Sequence, residues 1–453
     1  MTDSLNYFAY IFQILLFVAL LGATALLVYQ RFKAIRRNIL LGRDLEMPEN
    51  KQKGLGKVLE FAVAQRKMFA RPIVGLLHYL IFAGFVLINS ELLEIVLDGL
   101  TGSHRLFAGF LPTSLYQFLI GFYELMGFFV VVACVVFFVR RNVLKVERFQ
   151  KPEMKGWASL DGNLILIFEV ILMFFLFTMN ATDSILQERG AAHYAIFESP
   201  TRFLVSQFFI PLYSGFSDSS LVLIERTAWW AHISGIFAFG IYVTYSKHLH
   251  IIMAFPNTYY TRLQAKGKVE NMESVTNEVK IALGIAEPDP NADPNAMPER
   301  FGAKDATDLT WKNLMDAYAC TECGRCTDSC PANLTGKKLS PRKIMMDTRD
   351  RIEEIGAQMD SLGENYQHDG KFLYGDYVSK EELLACTTCN ACVEACPISI
   401  SPLDIIMQMR NYVAMEEANV PDSWKSMLTN VGNNAAPWAF PASDRFNWAQ
   451  ETK

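Results

Sequence analysis

Hydrophobic and polar positions divide this chain into two unlike halves. Up to about residue 255 long apolar runs alternate with short charged loops, and beyond it the sequence is polar. Residues 8–29 are nearly all apolar, and a helix needs about 20 such residues to cross a bilayer. The runs 73–98, 114–139, 162–182 and 227–254 meet the same requirement. A shorter piece, Phe203–Tyr213, is interrupted by Pro211 and reads as interfacial or re-entrant. The pattern therefore predicts five spans, or six if that piece crosses. Arg31, Lys33, Arg36 and Arg37 follow the first run rather than precede it. A cleaved signal peptide has the opposite order, so a retained membrane helix is expected.

Loop charges give the orientation. The loop between spans one and two carries eleven Lys/Arg and that between three and four carries six. The loop between two and three has only Arg105, and that between four and five has Arg189 and Arg202, with Arg226 at the edge of the fifth span. Basic loops stay on the cytoplasmic side. The N-terminus is thus expected outside and the C-terminal half in the cytoplasm, with the spans in a bacterial inner (cytoplasmic) membrane.

The polar half repeats one unit twice. Residues 256–307 read as a linker, with a proline-spaced acidic stretch at 287–298 that cannot be a helix interior. Within 308–420 each half runs from a short capped helix through a cysteine loop to a helix opened by Ser-Pro. Asp308 or Thr310 suits the first cap, and Ser379-Lys-Glu-Glu382 fits a capping box. Ser340-Pro341 and Ser401-Pro402 open the following helices, with proline at the first helical position. Lys343–Gln358 reads as an exposed amphipathic helix, and the tail 421–453 has no strong period. The expected fold is all-α: a transmembrane bundle in 1–255, a linker in 256–307, an α-helical dicluster domain in 308–420, then the tail.

The cysteines change the picture from architecture to chemistry. One run reads Cys320-Thr-Glu-Cys323-Gly-Arg-Cys326-Thr-Asp-Ser-Cys330-Pro331, and the other Cys386-Thr-Thr-Cys389-Asn-Ala-Cys392-Val-Glu-Ala-Cys396-Pro397. Both are C-x2-C-x2-C-x3-C-P, the spacing with which bacterial ferredoxins hold two four-iron clusters. The fourth cysteine of each run ligates the other cluster. On that rule Cys320, Cys323, Cys326 and Cys396 hold one cluster, and Cys386, Cys389, Cys392 and Cys330 the other. Zinc sites use pairs of ligands separated by a longer loop, and no secreted-scaffold signature supports disulfides. Thiolates on iron must stay reduced, which independently places this half in the cytosol. Cys134, alone in an apolar run, is a small buried residue. A net charge of −5 carries no sign of nucleic-acid binding.

Four of the seven histidines, His78, His232, His248 and His250, lie in or at the ends of spans. Intramembrane ionisable residues are costly and point to function. His232 and His250 are 18 residues apart, about five turns and about 27 Å on a continuous helix. His78 starts the second span at the depth of His250. Two neutral imidazoles facing across a bundle are what a b-type haem needs, and Gly75, Ala83, Gly84, Gly235 and Gly240 leave room for a macrocycle or for helix packing. His248 beside Lys247 reads as a headgroup residue, and His232 beside Trp229 and Trp230 as a haem ligand or an interfacial-belt residue. Glu124 and Glu169 suit a proton path, a quinone site or helix packing.

The stretch Ser246-Lys-His-Leu-His250 followed by Pro256-Asn-Thr-Tyr-Tyr-Thr-Arg262 resembles the haem-bearing gamma subunit of respiratory nitrate reductase. The resemblance implies that His250 and His232 ligate two different haems and that His78 partners His250. The expected partner of His232 falls on Ile88, so the second haem lacks it; His104 and His193 lie in outer loops. A gamma-like membrane domain joined to a dicluster domain resembles the membrane iron–sulfur reductases related to heterodisulfide reductase, including electron-transfer-flavoprotein–menaquinone oxidoreductases. Many of these carry Cys-Cys-Gly motifs, which this sequence lacks. The resemblance implies an oxidoreductase subunit passing electrons between menaquinone or ubiquinone and a cytoplasmic Cys-Cys-Gly-type redox subunit or an electron-transfer flavoprotein. It would do so through two [4Fe–4S] clusters and haem b. A quinone-linked dehydrogenase subunit for lactate, glycolate or glycerol phosphate, and a redox-sensing anchor without quinone activity, are the other classes the sequence admits.

Overall fold

The computed structural model of the protein describes residues 2–47, 50–191, 194, 203–265, 267–269, 271–288 and 300–451. His193 and most of the proline-spaced acidic stretch lie outside them. The described residues form helices and two isolated bridges, with no strand.

Four helices are long and apolar enough to cross a membrane: α1 (Thr2–Leu40), α2 (Pro72–Thr101), α3 (Thr113–Asn142) and α4 (Trp157–Glu188). A fifth, α5 (Asp218–Val243), packs along α4 and α1 but is less apolar, because Trp229, Trp230, His232 and Ser234 interrupt its aliphatic residues. Its seam with α4 joins Leu172, Leu176 and Phe177 to Trp229, Ile233 and Phe237. Outward-facing Phe12, Leu15, Phe118 and Phe174 are exposed, as lipid-facing side chains are. Phe203–Tyr213 forms two short turns, the second at Ile210–Tyr213, that pack on α4.

The run 227–254 is not one helix. α5 ends at Val243, and after a turn α6 (His250–Tyr259) begins. Buried Asp161 of α4 sets the break: it accepts from Ser246 Oγ at 2.6 Å and from the Lys247 amide at 3.1 Å, and from Tyr242. The spacing of His232 and His250 is therefore not that of a continuous helix face. The glycines serve packing too. A Cβ on Gly75 would meet the Met68 carbonyl at 2.9 Å, and one on Gly235 would meet Leu172 at 2.7 Å.

The 39 residues of α1 extend for about 58 Å, more than a bilayer core of about 30 Å requires. Its last turns consequently enter the polar half, where Ile35 joins the core and Asn38 donates to Tyr318 Oη at 2.9 Å. Arg31 pairs with Glu353 through both terminal nitrogens, at 3.0 and 2.8 Å.

The polar half is built on α7 (Trp311–Ala319), α8 (Pro341–Leu362) and α9 (Pro402–Met415). Thr310 caps α7 and Ser379 caps Lys380–Leu384, each in a capping box; Ser340 caps α8, with Pro341 in its first turn. Helix α8 is central rather than exposed: Ile344, Ile352 and Ile355 are buried with Leu314, Ile406 and Met409. Each such side chain contributes about 1.5–3 kcal/mol. The fold of this half starts before residue 308, since Ala303, Asp305 and Ala306 are already buried.

Arg351, fully buried on α8, holds Asp305 at 2.8 Å, Asp369 at 2.8 Å and the Lys371 carbonyl at 2.6 Å. Hydrogen bonding to Arg351 holds the Asp369 carboxyl well below the usual carboxylate range. Its folded pKa is lower than its unfolded one, so its stabilising effect is complete above about pH 4 and fades as pH falls below that. Arg351→Met takes the guanidinium from the buried Asp305 carboxylate and is expected to destabilise this half by about 3–5 kcal/mol. Thermal unfolding at pH 7 should detect that loss, and the variant's stability should depend less on pH in the acid range.

After α9, α10 (Asp422–Asn434) stands out from the fold, with Trp424, Met427, Leu428 and Val431 exposed along one stripe.

Candidate redox centres

The two cysteine loops share a backbone device. Glu322 and Thr388, each preceding the second cysteine of its run, have φ of +55° and +57°. Gly324 and Asn390, each following that cysteine, have +73° and +61°. Glycine and asparagine tolerate this left-handed geometry best, and alternating it with ordinary backbone turns successive thiols inward. Cys320, Cys323, Cys326 and Cys396 line a large cavity, whereas Cys330, Cys386, Cys389 and Cys392 surround a separate small one. Backbone amides of Thr388 and Ile400 donate to the sulfurs of Cys386 and Cys396 at 3.4 and 3.3 Å. Burial pushes the thiols of Cys320 and Cys392 up to about 12 and that of Cys396 up to about 11. Coordinated metal is what makes such buried sulfurs thiolates at neutral pH.

The large cavity, about 480 Å³, also receives His78, His232, His248 and His250. The rings of His78 and His250 have centroids 6.3 Å apart. Two metal–nitrogen bonds of about 2 Å and two ring radii of about 1.1 Å sum to about 6.2 Å, so one iron fits between them. His78 Nδ1 bonds to Gln65 Oε1 at 2.8 Å and His250 Nδ1 to the Lys247 carbonyl at 3.2 Å. A carbonyl acceptor makes Nδ1 the N–H, which leaves Nε2 as a lone-pair donor to metal. The residues present therefore fit a haem iron. Gln65, itself at φ +50°, carried no sequence signal beyond its position in a basic loop. His248 faces the cavity rather than headgroups, its ring 5.4 Å from His250 and 5.5 Å from Phe239.

Polar contacts tie the histidine segment to the first cysteine loop. Lys247 pairs with Glu322, which Arg349 also holds at 2.6 Å. Burial alone would raise the Glu322 carboxyl, but Arg349 and Lys247 overcome it and hold it low. Arg325, between Cys323 and Cys326, donates to the Lys67 carbonyl at 3.1 Å, two residues from Gln65. Asn257 donates to the Ile398 carbonyl at 3.0 Å, just past Cys396, and Arg262 pairs with Asp404 at 3.0 Å.

The remaining candidates separate. Glu169 lines the cavity. Glu124 has a packing role, accepting from the amides of Val205 and Ser206 at 2.8 and 3.2 Å and from Asn180 at 3.1 Å. His104 bonds to Asp183 at 3.2 Å and stacks edge-on to Tyr194. Cys134 is buried.

The cysteine half matches the family model described as a 4Fe-4S dicluster domain, over residues 319–400. The chain therefore carries an iron–sulfur cluster-binding domain on a membrane domain. It is 27% identical to the "Probable iron-sulfur-binding oxidoreductase FadF" of Bacillus subtilis (strain 168), over 91% of this chain and 57% of that protein. It is 25% identical to the "EtfAB:quinone oxidoreductase" of Syntrophomonas wolfei, over 97% of this chain and 60% of that protein. A "Probable membrane-anchored ferredoxin" of Chromohalobacter salexigens is 31% identical over 33% of this chain and 24% of its own length. These relatives are electron-transfer proteins by name, two of them oxidoreductases, consistent with an oxidoreductase. The chain spans less than two thirds of the length of the first two. No solved structure matches it.

Proposed function

We propose that the chain is the membrane electron-transfer subunit of a quinone-linked oxidoreductase, with five spans, an outer N-terminus and a cytoplasmic iron–sulfur half. Cys320, Cys323, Cys326 and Cys396 hold one [4Fe–4S] cluster, and Cys330, Cys386, Cys389 and Cys392 the other. His78 and His250 hold a b-type haem. One observation carries this reading: the first cysteine ring and the His78–His250 pair line the same cavity. A haem bound there supplies a one-electron couple between the cluster domain and the membrane interior. The chain's own residues fix the arrangement: Gln65 and the Lys247 carbonyl orient the imidazoles, and Lys247, Glu322 and Arg325 keep the cysteine loop against them. Cys389 is exposed, which puts the second ring at the surface where a soluble partner can exchange electrons.

A dithionite-reduced spectrum of the fully assembled protein is expected to show the α-band of a b-type haem beside the clusters. Its absence removes the haem from this reading.

The partner is a cytoplasmic Cys-Cys-Gly-type redox subunit or an electron-transfer flavoprotein, the latter in keeping with the name of the Syntrophomonas wolfei relative. The stripe of Trp424, Met427, Leu428 and Val431 on α10 offers it an apolar docking helix. Deleting residues 421–453 should leave cluster spectra unchanged and abolish co-purification of the partner. Retained co-purification would place docking elsewhere.

A further inference from the structure

The large cavity does not stop at His78 and His250. Along α2 its wall continues to Glu91, 13 residues past His78 and about 20 Å farther by helix rise. On α5 it includes His232. The wall around these two groups is mostly apolar, with Phe85, Ile88, Leu92, Leu172, Leu176 and Ile236, and its other polar groups here are Asn89 and Glu169.

Glu91 is 4% exposed, and its Oε2 has no hydrogen-bond partner among the described residues. A buried oxygen left unbonded is costly, and a ligand that bonds to it recovers that cost. His232 is 3% exposed, with Nδ1 on the Leu172 carbonyl at 2.9 Å. Nδ1 thus carries the proton and Nε2 is the free nitrogen. The other histidines on this cavity are His78, His248 and His250. The first and last are matched to each other, and His248 lies beside them. No further imidazole among the described residues lines the cavity to complete a second haem on His232.

We propose that Glu91 and His232 are the two poles of a quinone headgroup site. This names the substrate site of the proposed function and rests on that reading. A planar ring with oxygens on opposite edges and an apolar tail matches two polar groups set in an apolar slot. Reduction of the ring takes two electrons, delivered singly by this chain's one-electron carriers, and two protons. On quinol oxidation one hydroxyl proton passes to the free Nε2 of neutral His232 and the other to the Glu91 carboxylate, while the two electrons leave singly to the carriers. Quinone reduction draws the two protons back from the same groups and the electrons from the carriers.

The test is a fluorescence-quenching titration of the purified full chain with 2-heptyl-4-hydroxyquinoline N-oxide, alongside haem content per chain. The wild type should bind one equivalent. Glu91→Leu and His232→Phe should each weaken binding about tenfold or more, the effect of losing a well-made hydrogen bond, with haem content unchanged. Glu91→Leu removes an unbonded buried oxygen and should raise the unfolding temperature, so its lost binding is not lost folding. Glu91→Gln, whose amide can still donate, should bind the probe yet turn over quinone slowly. The proposal falls if the wild type does not bind, if either first variant binds as tightly as wild type, or if His232→Phe lowers haem content. A wild type without haem whose binding still depends on Glu91 and His232 would instead sink the haem reading alone.

Discussion

His250→Ala is expected to remove the haem signal and leave both cluster signals in place. The reduced-minus-oxidised spectrum should lose its α-band, while electron paramagnetic resonance of the reduced protein should still give two [4Fe–4S] centres. The reason is local. His250 touches the cysteine half through its neighbour Lys247, which pairs with Glu322, and alanine at 250 leaves that pair intact. It also leaves His78 facing empty space, and one imidazole cannot replace two at a six-coordinate iron. His248, 5.4 Å from His250, is the group best placed to substitute, so the double variant with His248→Ala removes that escape. Gln65→Leu is the milder version: it frees His78 Nδ1, and losing such an orienting partner costs about 10–100-fold in metal affinity. Full haem content in His250→Ala, with His248 also replaced, would show that the pairing is wrong.

Contacts between the halves hold a membrane helix and the first cysteine loop together. Lys247 is one residue from His248 and pairs with a residue between Cys320 and Cys323. Asn257 and Arg262 reach the segment that follows Cys396. The extended end of α1 is buried in the same half through Ile35 and Asn38. Each joint crosses from a membrane helix to the first cysteine ring or its supports. Relative movement of that ring and the histidine pair is therefore opposed by hydrogen bonds at several points. In the proposed function, exchange with a soluble partner falls to the second ring, where Cys389 is exposed.

Much of this was legible in the chain, because cysteine spacing, apolar length and capping residues are local signals. The capping boxes at Thr310 and Ser379 and the Ser-Pro helix starts follow from a few adjacent residues each. What was not legible depends on partners far away in sequence. Asp161 breaks the last apolar run into α5 and α6, and nothing near Ser246 announces an acceptor 85 residues earlier. The stretch Lys343–Gln358 looked exposed because Arg351 and its acidic residues suggest a solvated face. Yet Arg342 and Arg351 are fully buried, held by Glu153, Asp305 and Asp369. Gln65, Glu91 and the cavity-facing His248 were likewise invisible, since a cavity is made by several helices and written in none of them.

Cys396→Ala is expected to damage the cluster of the first cysteine run although it lies in the second. Cys396 shares its cavity with Cys320, Cys323 and Cys326. Cys330 lies instead with Cys386, Cys389 and Cys392. Loss of one of four thiolates should convert or empty the first ring while the second keeps its full signal. Cys330→Ala should do the reverse. The effect reaches farther in the first case, because that ring borders the histidine pair. With dithionite excluded and electrons supplied only through the cytoplasmic face, haem reduction should stall in Cys396→Ala even though haem is present. In Cys330→Ala it should proceed from any donor able to reach the first ring directly. Loss of only the second-run signal in Cys396→Ala would refute the crossed arrangement and put each cluster wholly within its own run.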